Sequence, residues 1–239
     1  MSNPRSNPEY YDRVSVAYDH AREGRYHELV DRLAVDAVRA AARGDTVLEA
    51  GCGTGRVLAQ LRSAGLRAVG LDLSAGMLDH ARRRGLPVGR ADLTALPVAD
   101  SRLDLICCFK VLPHVPSLPA TLREFCRALR PGGRMVVEVY NPHSLRAAIK
   151  RLGGPQRIVA STHEGEVTTR YDGVAELRAA TPADAELEHV RGVRIFTPLA
   201  GLHDWPGLGR ALGRLEAWAA NGPLARFGGF LVATYRKRG

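Results

Sequence analysis

Val47-Leu48-Glu49-Ala50-Gly51-Cys52-Gly53-Thr54-Gly55 is the stretch that decides the fold class. Thr46 to Ala50 reads as a short strand and runs straight into three alternating glycines. Glycines at that spacing bring backbone N–H groups close to a ligand with no Cβ in the way. A helix follows from about Arg56 to Ser63, closed by Gly65. A tight strand-to-helix turn with no ligand would use the same glycines. Asp72 favours a ligand, because it ends the next strand, where a carboxylate can accept both hydroxyls of an adenosine ribose.

Outward from this loop, strands and helices alternate. A strand at Arg67–Leu71 precedes a capped helix after Ser74 and a strand near Val88–Ala91. Leu103 to Phe109 is nearly continuous apolar sequence, as expected for a parallel strand buried on both faces. A helix over about Ser117–Leu129 leads through Pro131-Gly132-Gly133 into a strand at Arg134–Tyr140. This rhythm implies βαβ units in a doubly wound parallel sheet with right-handed crossovers. Upstream, Leu29, Leu33, Ala37 and Ala41, widened by Val30, Ala34 and Val38, predict a helix over Tyr26–Arg43 with Gly44 as its C′ residue. After Tyr140 the rhythm breaks. A helix from Asn141-Pro142-His143-Ser144 to about Arg151 is followed by a hairpin of 157–161 and 166–171 around His163-Glu164-Gly165. Asp172 then caps a helix, and Glu188–Phe196 is a strand. A helix carries Leu208, Leu212, Leu215 and Trp218, and Gly229–Tyr235 is a closing strand.

Composition is that of an ordinary globular chain, with 239 residues, 45% hydrophobic and 25% charged. No apolar run approaches the roughly 18–20 residues of a membrane span, and the polar opening Met1-Ser2-Asn3-Pro4-Arg5 offers no secretory core. Four cysteines, two of them adjacent at 107 and 108, are no disulfide framework. The expectation is a cytoplasmic enzyme with no membrane partner, monomeric or homodimeric. The eight histidines contain no helical H-x-x-x-H pair and no Cys/His spacing fits zinc, so no metal is expected. The net charge of +9 could suit an anionic partner. Lysine, however, occurs only at 110, 150 and 237, and the arginines are scattered, with Arg82-Arg83-Arg84 the one tight run. A solvated face is the simpler reading.

The ligand class follows from charge. The dinucleotide fingerprint needs a third glycine where Arg56 stands. A phosphate loop needs a lysine that this loop lacks. Glu49, two residues before Gly51, would repel a pyrophosphate and favour a ligand bearing an ammonium or sulfonium, such as S-adenosylmethionine.

With Glu49-x-Gly51-x-Gly53-x-Gly55, Asp72, the Asp92-Leu93 pair and Leu129-Arg130-Pro131-Gly132-Gly133 in this order, the sequence resembles the class I S-adenosylmethionine-dependent methyltransferases. The resemblance covers about residues 10–140 and the closing strand. It implies a Rossmann-like, seven-stranded, mostly parallel sheet with the last strand antiparallel, in a single domain of residues 1–239. Residues 1–43 would be a helical cover, 44–140 the cofactor core, 141–187 an inserted substrate cap, and 188–239 the C-terminal strands and helix. It also implies roles. Glu49 with Gly51, Cys52, Gly53 and Gly55 would hold the methionine end of S-adenosyl-L-methionine, which leaves as S-adenosyl-L-homocysteine, and Tyr18-Asp19 would cover its carboxylate. Asp72 would bind the ribose, Leu73 and Met77 the adenine faces, and Asp92 with the Leu93 N–H the adenine edge. Phe109 would lie beneath the transferable methyl.

Methyl transfer needs alignment first, since the cofactor itself carries the activated leaving group. A base matters only where the acceptor must lose a proton. His114 and His143 follow the fourth and fifth strands on the ligand edge and are the candidates for it, although a structural role is the simpler reading of each. Pro113 stands where many relatives carry a first of two histidines, which leaves the course of this loop open. Tyr140 could line the acceptor pocket, and Trp205 and Trp218 read as core or lid packing, with stacking on a flat substrate as the alternative. The favoured function is methylation of an oxygen, nitrogen or carbon of a small-molecule acceptor. The alternatives are an RNA (tRNA) methyltransferase and a noncatalytic cofactor-binding subunit.

Overall fold

The computed structural model describes residues 7–145, 147, 157–159, 162–163, 169–197 and 200–239. Five parallel strands form the first part of the chain: β1 (Thr46–Ala50), β2 (Arg67–Asp72), β3 (Val88–Arg90), β4 (Leu103–Cys108) and β5 (Leu129–Tyr140). Helices α3 (Arg56–Ser63), α4 (Ala75–Arg83) and α5 (Leu118–Ala128) cross between strands, and α1 (Asn7–Tyr18) and α2 (Arg25–Ala41) precede β1. After β5 come the short pair β6 (Arg157–Val159) and β7 (Thr162–His163), then α6 (Val174–Ala179), β8 (Ala185–Val193), α7 (Pro206–Ala219) and β9 (Phe230–Lys237). The main sheet has the order β3-β2-β1-β4-β5-β9-β8. β9 runs antiparallel to both of its neighbours, so the mostly parallel, seven-stranded sheet with an antiparallel last strand is as expected.

Side-chain alternation builds two cores on this one sheet. Val47 and Leu105 point into a layer with Val38 of α2 and Leu58 of α3. Leu48 and Ile106 point the other way, against Leu122 and Phe125 of α5. All six residues of β4 are buried, the state its apolar sequence demands. Local chemistry sets the helix starts: the Ser74 hydroxyl accepts from the Met77 N–H at 3.1 Å, and Ser117 caps α5 in the same way at 3.3 Å.

Several expectations need correction. The α2 helix ends at Ala41 with extended Ala42 as its cap, so Gly44 is not a left-handed C′ residue. Gly44 is there because a Cβ would lie 2.3 Å from the buried Asp104 carboxyl group. Pro131-Gly132-Gly133 lies within β5 rather than before it: the β4–β5 register slips between Leu103↔Leu129 and Leu105↔Arg134. The hairpin pairs Arg157 with His163 and Val159 with Thr162, which puts His163 in a strand. Of its expected arms, 160–161 and 166–168 lie outside the described residues, as do 146 and 148–151 of the helix expected to reach Arg151. Residues 170–172 serve the sheet edge instead: Arg170 N–H donates to the Pro113 carbonyl and Asp172 N–H to that of Tyr140. Gly173, not Asp172, caps α6, its N–H donating to Glu176 Oε2 at 2.8 Å, while Asp172 pairs with Arg170. Trp205 and Trp218 are neither core nor lid packing; they stand 67% and 73% exposed, because α7 turns its Glu216 and Ala219 inward.

Candidate functional site

β1 and β4 are neighbours although their crossovers lead in opposite directions, and a crevice opens at their carboxyl ends. There a cavity of about 340 Å³ is enclosed by the glycine loop, the ends of β2 and β4, and α1. Tyr18, Glu49, Gly51, Cys52, Gly53, Asp72, Leu73, Met77, Asp92, Leu93, Phe109 and His114 all line it. Gly55 lies behind the wall at φ +81° as the residue before α3. His143 is exposed and outside the cavity, its N–H donating to Asn141 Oδ1 at 3.0 Å.

The loop shape depends on its glycines. Gly51 has φ +79°, and a Cβ there would sit 2.3 Å from Val111 Cγ2 on the opposite wall. Asp72 ties the loop to β2: Gly53 N–H donates to its Oδ2 at 2.8 Å and Ser74 N–H to its Oδ1 at 2.9 Å. Burial raises the Asp72 pKa, and those two N–H groups work against the rise. Each oxygen keeps a further lone pair for hydroxyl donors. Asp92, at the rim, uses one oxygen on Thr94 (N–H 2.8 Å, hydroxyl 2.7 Å). Leu73, Met77 and Leu93 give the cavity apolar walls suited to a flat ring.

Helix α1 lies over this floor and is fastened by its acids. Asp12 Oδ1 accepts from the Ser74 hydroxyl at 2.5 Å and Gly76 N–H at 2.9 Å. Asp19 accepts from the Thr54 hydroxyl at 2.7 Å and pairs with Arg84 at 2.6 Å. Arg84 therefore belongs to the structure of the loop, and Arg82 pairs with Asp79.

The deeper wall holds groups the sequence did not announce. Asp31 of α2 is 2% exposed and joins Lys110 Nζ at 2.9 Å and Arg56 Nε at 3.1 Å. Burial raises its pKa, but the two cations outweigh burial and the net shift is downward. Arg56, the residue that breaks the dinucleotide fingerprint, thus serves a second purpose here. Lys110 takes φ +63°, an uncommon conformation for a non-glycine residue, immediately after Phe109. The one sequence signal for this triad was an acid, Asp31, within the apolar face of α2 beside Val30, Ala34 and Val35. Arg22 also lines the cavity, its guanidinium 4.3 Å from the Tyr18 ring centroid, with no carboxylate within 4.0 Å among the described residues. Tyr11 and Tyr140 flank His114 edge-on, each with ring centroids 5.9 Å away.

Two buried carboxyl groups are unsatisfied. Glu49 Oε2 has no hydrogen-bond partner, and burial holds this acid well above the usual carboxylate range, against the pull of Lys110. Glu138 Oε1 on β5 is likewise unpartnered, and burial pushes its pKa up to about 7. An unpaired carboxyl oxygen on a cavity wall costs free energy until a donor reaches it. Glu49 therefore fits a ligand that brings a cationic N–H donor, and Asp72 fits one that brings hydroxyls. An S-adenosylmethionine molecule carries both, with an adenine ring beyond the ribose.

The comparisons with known proteins agree. Residues 18–189 match a methyltransferase domain. The chain is 34% identical over 236 residues to a malonyl-[acyl-carrier protein] O-methyltransferase of Laribacter hongkongensis, spanning 87% of this chain and 77% of that protein. It is 34% identical over 152 residues to a demethylmenaquinone methyltransferase of Mycobacterium sp., spanning 60% of this chain and 64% of that one. Other relatives are also spanned over less than two thirds of their length, 59% and 65% for two of them. In fold it is similar to an S-adenosylmethionine-dependent methyltransferase of Thermotoga maritima described as a possible histamine N-methyltransferase. The TM-score is 0.71 over 97% of this chain and 99% of that one, at 19% identity. The chain belongs to the S-adenosylmethionine-dependent class I methyltransferases.

Proposed function

We propose that this chain moves the methyl group of S-adenosylmethionine to an oxygen or nitrogen, or in a further case a carbon, of a small-molecule acceptor, and that it does so mainly by alignment. The bound cofactor supplies an activated methyl group on a sulfonium. Glu49 receives the ammonium and Arg22 the carboxylate of its methionine end, beside the Gly51–Gly55 backbone. Asp72 accepts the ribose hydroxyls, Leu73 and Met77 hold the adenine faces, and Asp92 with the Leu93 N–H reads the adenine edge. Phe109 backs the reacting centre. The observation that carries this reading is the unpaired Glu49 Oε2 on the wall of a cavity whose other acid, Asp72, already orders the glycine loop.

The acceptor enters past Tyr11, Tyr18 and His114, with Tyr140 behind them. His114 takes a proton where the acceptor must lose one; His143, outside the cavity, has no such role. Residues 169–173 are part of the acceptor cover. Arg170 grips the loop beside His114 through the Leu112 and Val115 carbonyls, each at 3.0 Å. The names of the relatives, one acting on malonyl-[acyl-carrier protein] and one on demethylmenaquinone, support an acceptor that is not nucleic acid. Two of the three residues of the arginine run, Arg82 and Arg84, are paired with Asp79 and Asp19, which weakens the case for RNA. Four buried, free cysteines suit a reducing cytoplasm. The test is thermal unfolding with S-adenosylhomocysteine, which raises the melting temperature by mass action, with NAD as the control. A shift with NAD and none with S-adenosylhomocysteine overturns the reading.

A further inference from the structure

Helix α7 presents an apolar stripe to solvent on the side turned away from the sheet. Trp205, the residue before the helix, is 67% exposed, Leu208 40%, Leu215 47% and Trp218 73%. Spacings of three, seven and three residues put these four on one face, with exposed Ala211 between them. At 1.5 Å per residue the stripe is roughly 20 Å long with an indole near each end.

Its flank is cationic. Arg210 and Arg214 lie along one side of the stripe and form one wall of an open groove of about 830 Å³. Arg25 and Arg32 of α2 stand on the opposite wall, and Glu28 is the one acid among the lining residues. Arg25, Arg32 and Arg214 have no carboxylate within 4.0 Å among the described residues. The single acid of α7, Glu216, is buried and spent internally. It accepts from the Ile195 N–H at 2.7 Å, the Phe196 N–H at 2.9 Å and the Thr197 hydroxyl at 2.8 Å.

This charge pattern selects the occupant. A second copy of the chain packed face to face on α7 would set Arg214 against its counterpart, with Glu216, the one acid of the helix, already buried and spent. An anionic surface meets no such repulsion. A helix lying flat with Trp and Leu on one face and arginines beside them has the make-up of an interfacial membrane helix. Indoles rest at the headgroup level, and long cationic side chains reach the phosphates. None of the described helices is long and apolar enough to cross a membrane, so the contact is peripheral. We propose that the exposed face of α7, with the arginines of the α2–α7 groove, docks this protein on an anionic lipid bilayer. This replaces the expectation of no membrane partner, which rested on the missing span alone.

Both tryptophans of the chain lie on this face, so tryptophan emission, excited to the red of tyrosine absorption, reports on it. The full chain is titrated with vesicles of phosphatidylcholine alone and of phosphatidylcholine with phosphatidylglycerol, followed by emission and by co-sedimentation. The expected result is a blue shift and co-sedimentation with the phosphatidylglycerol vesicles, lost at high salt. Arg32→Gln/Arg214→Gln should weaken that binding by roughly 30-fold, from the usual contribution of two cations near an anionic surface. Trp205→Ala/Trp218→Ala should lower co-sedimentation with an unchanged thermal shift by S-adenosylhomocysteine. Absence of binding to phosphatidylglycerol vesicles, or equal binding to both vesicle types, overturns the proposal. So does a solution dimer that Leu215→Asp dissociates, because the face would then belong to a second copy.

Discussion

Replacing Asp72 separates what this carboxylate does for the loop from what it does for the ligand. In the free protein its oxygens accept from Gly53 N–H at 2.8 Å and Ser74 N–H at 2.9 Å. Asp72→Ala strips both donors of their partner. Left unsatisfied, each would cost about 1–3 kcal/mol, but two effects reduce the total. Gly53 faces the cavity, where water can replace the carboxylate, and removing a buried acid whose pKa burial has raised relieves a desolvation cost. The expected loss of stability is therefore about 1–3 kcal/mol overall. Ribose hydroxyls donate to the remaining lone pairs, and hydrogen bonds to a charged group are worth about 1.5–3 kcal/mol. Affinity for S-adenosylhomocysteine should then fall about 10- to 150-fold. Asp72→Asn keeps the volume but turns an amide NH2 toward one of the two N–H donors. It should lose affinity at least as far as alanine does. Titration calorimetry on each variant, beside urea unfolding to confirm a cooperative fold, gives both quantities. A dissociation constant within twofold of the parent in a normally folded variant would refute the assignment of Asp72 to the ribose.

Glu138 should make the free protein less stable as pH rises. Its folded pKa of about 7 lies above the unfolded value, so the folded state holds a proton that the unfolded state sheds, and about 3 kcal/mol disappears between pH 4.5 and 7. Glu138→Gln removes this loss; urea unfolding at pH 5 and pH 8 checks it, and parallel curves for parent and variant count against it. Glu49, raised by burial, should release its proton as the cationic ligand arrives, so S-adenosylhomocysteine should bind more tightly as pH increases. Calorimetry in two buffers of different ionisation heat measures this release, and equal heats would exclude it. Asp31→Ala leaves Lys110 and Arg56 unpaired in a partly buried wall and should cost about 3–5 kcal/mol. A loss under about 1 kcal/mol in chemical unfolding would show the triad to be energetically idle.

The sheet and the cofactor floor were legible in the chain because both are written in local order. Alternation of Val47 and Leu48, and of Leu105 and Ile106, assigns residues to the two faces wherever the partners lie. Glu49, Gly51, Gly53, Asp72 and Asp92 sit at the ends of consecutive strands, and parallel pairing brings consecutive strand ends to one edge. The deeper wall could not be read this way. Asp31 meets Lys110 across 79 residues and Arg56 across 25, and those meetings depend on how α2 is set against the sheet. Arg22 lies between α1 and α2, in a position fixed by the fastening of α1 through Asp12 and Asp19 rather than by any pattern around it. Nor does periodicity tell which side of α7 faces water. Leu208, Leu215 and Trp218 recur as a core-facing stripe would, yet they are exposed, and the buried contacts of Glu216 decided which side turned inward. Spacing along the chain therefore determined the fold and the floor of the site. Packing between elements distant in sequence decided its charged wall and left the two tryptophans in the open, because only packing settles which of several possible faces loses its water.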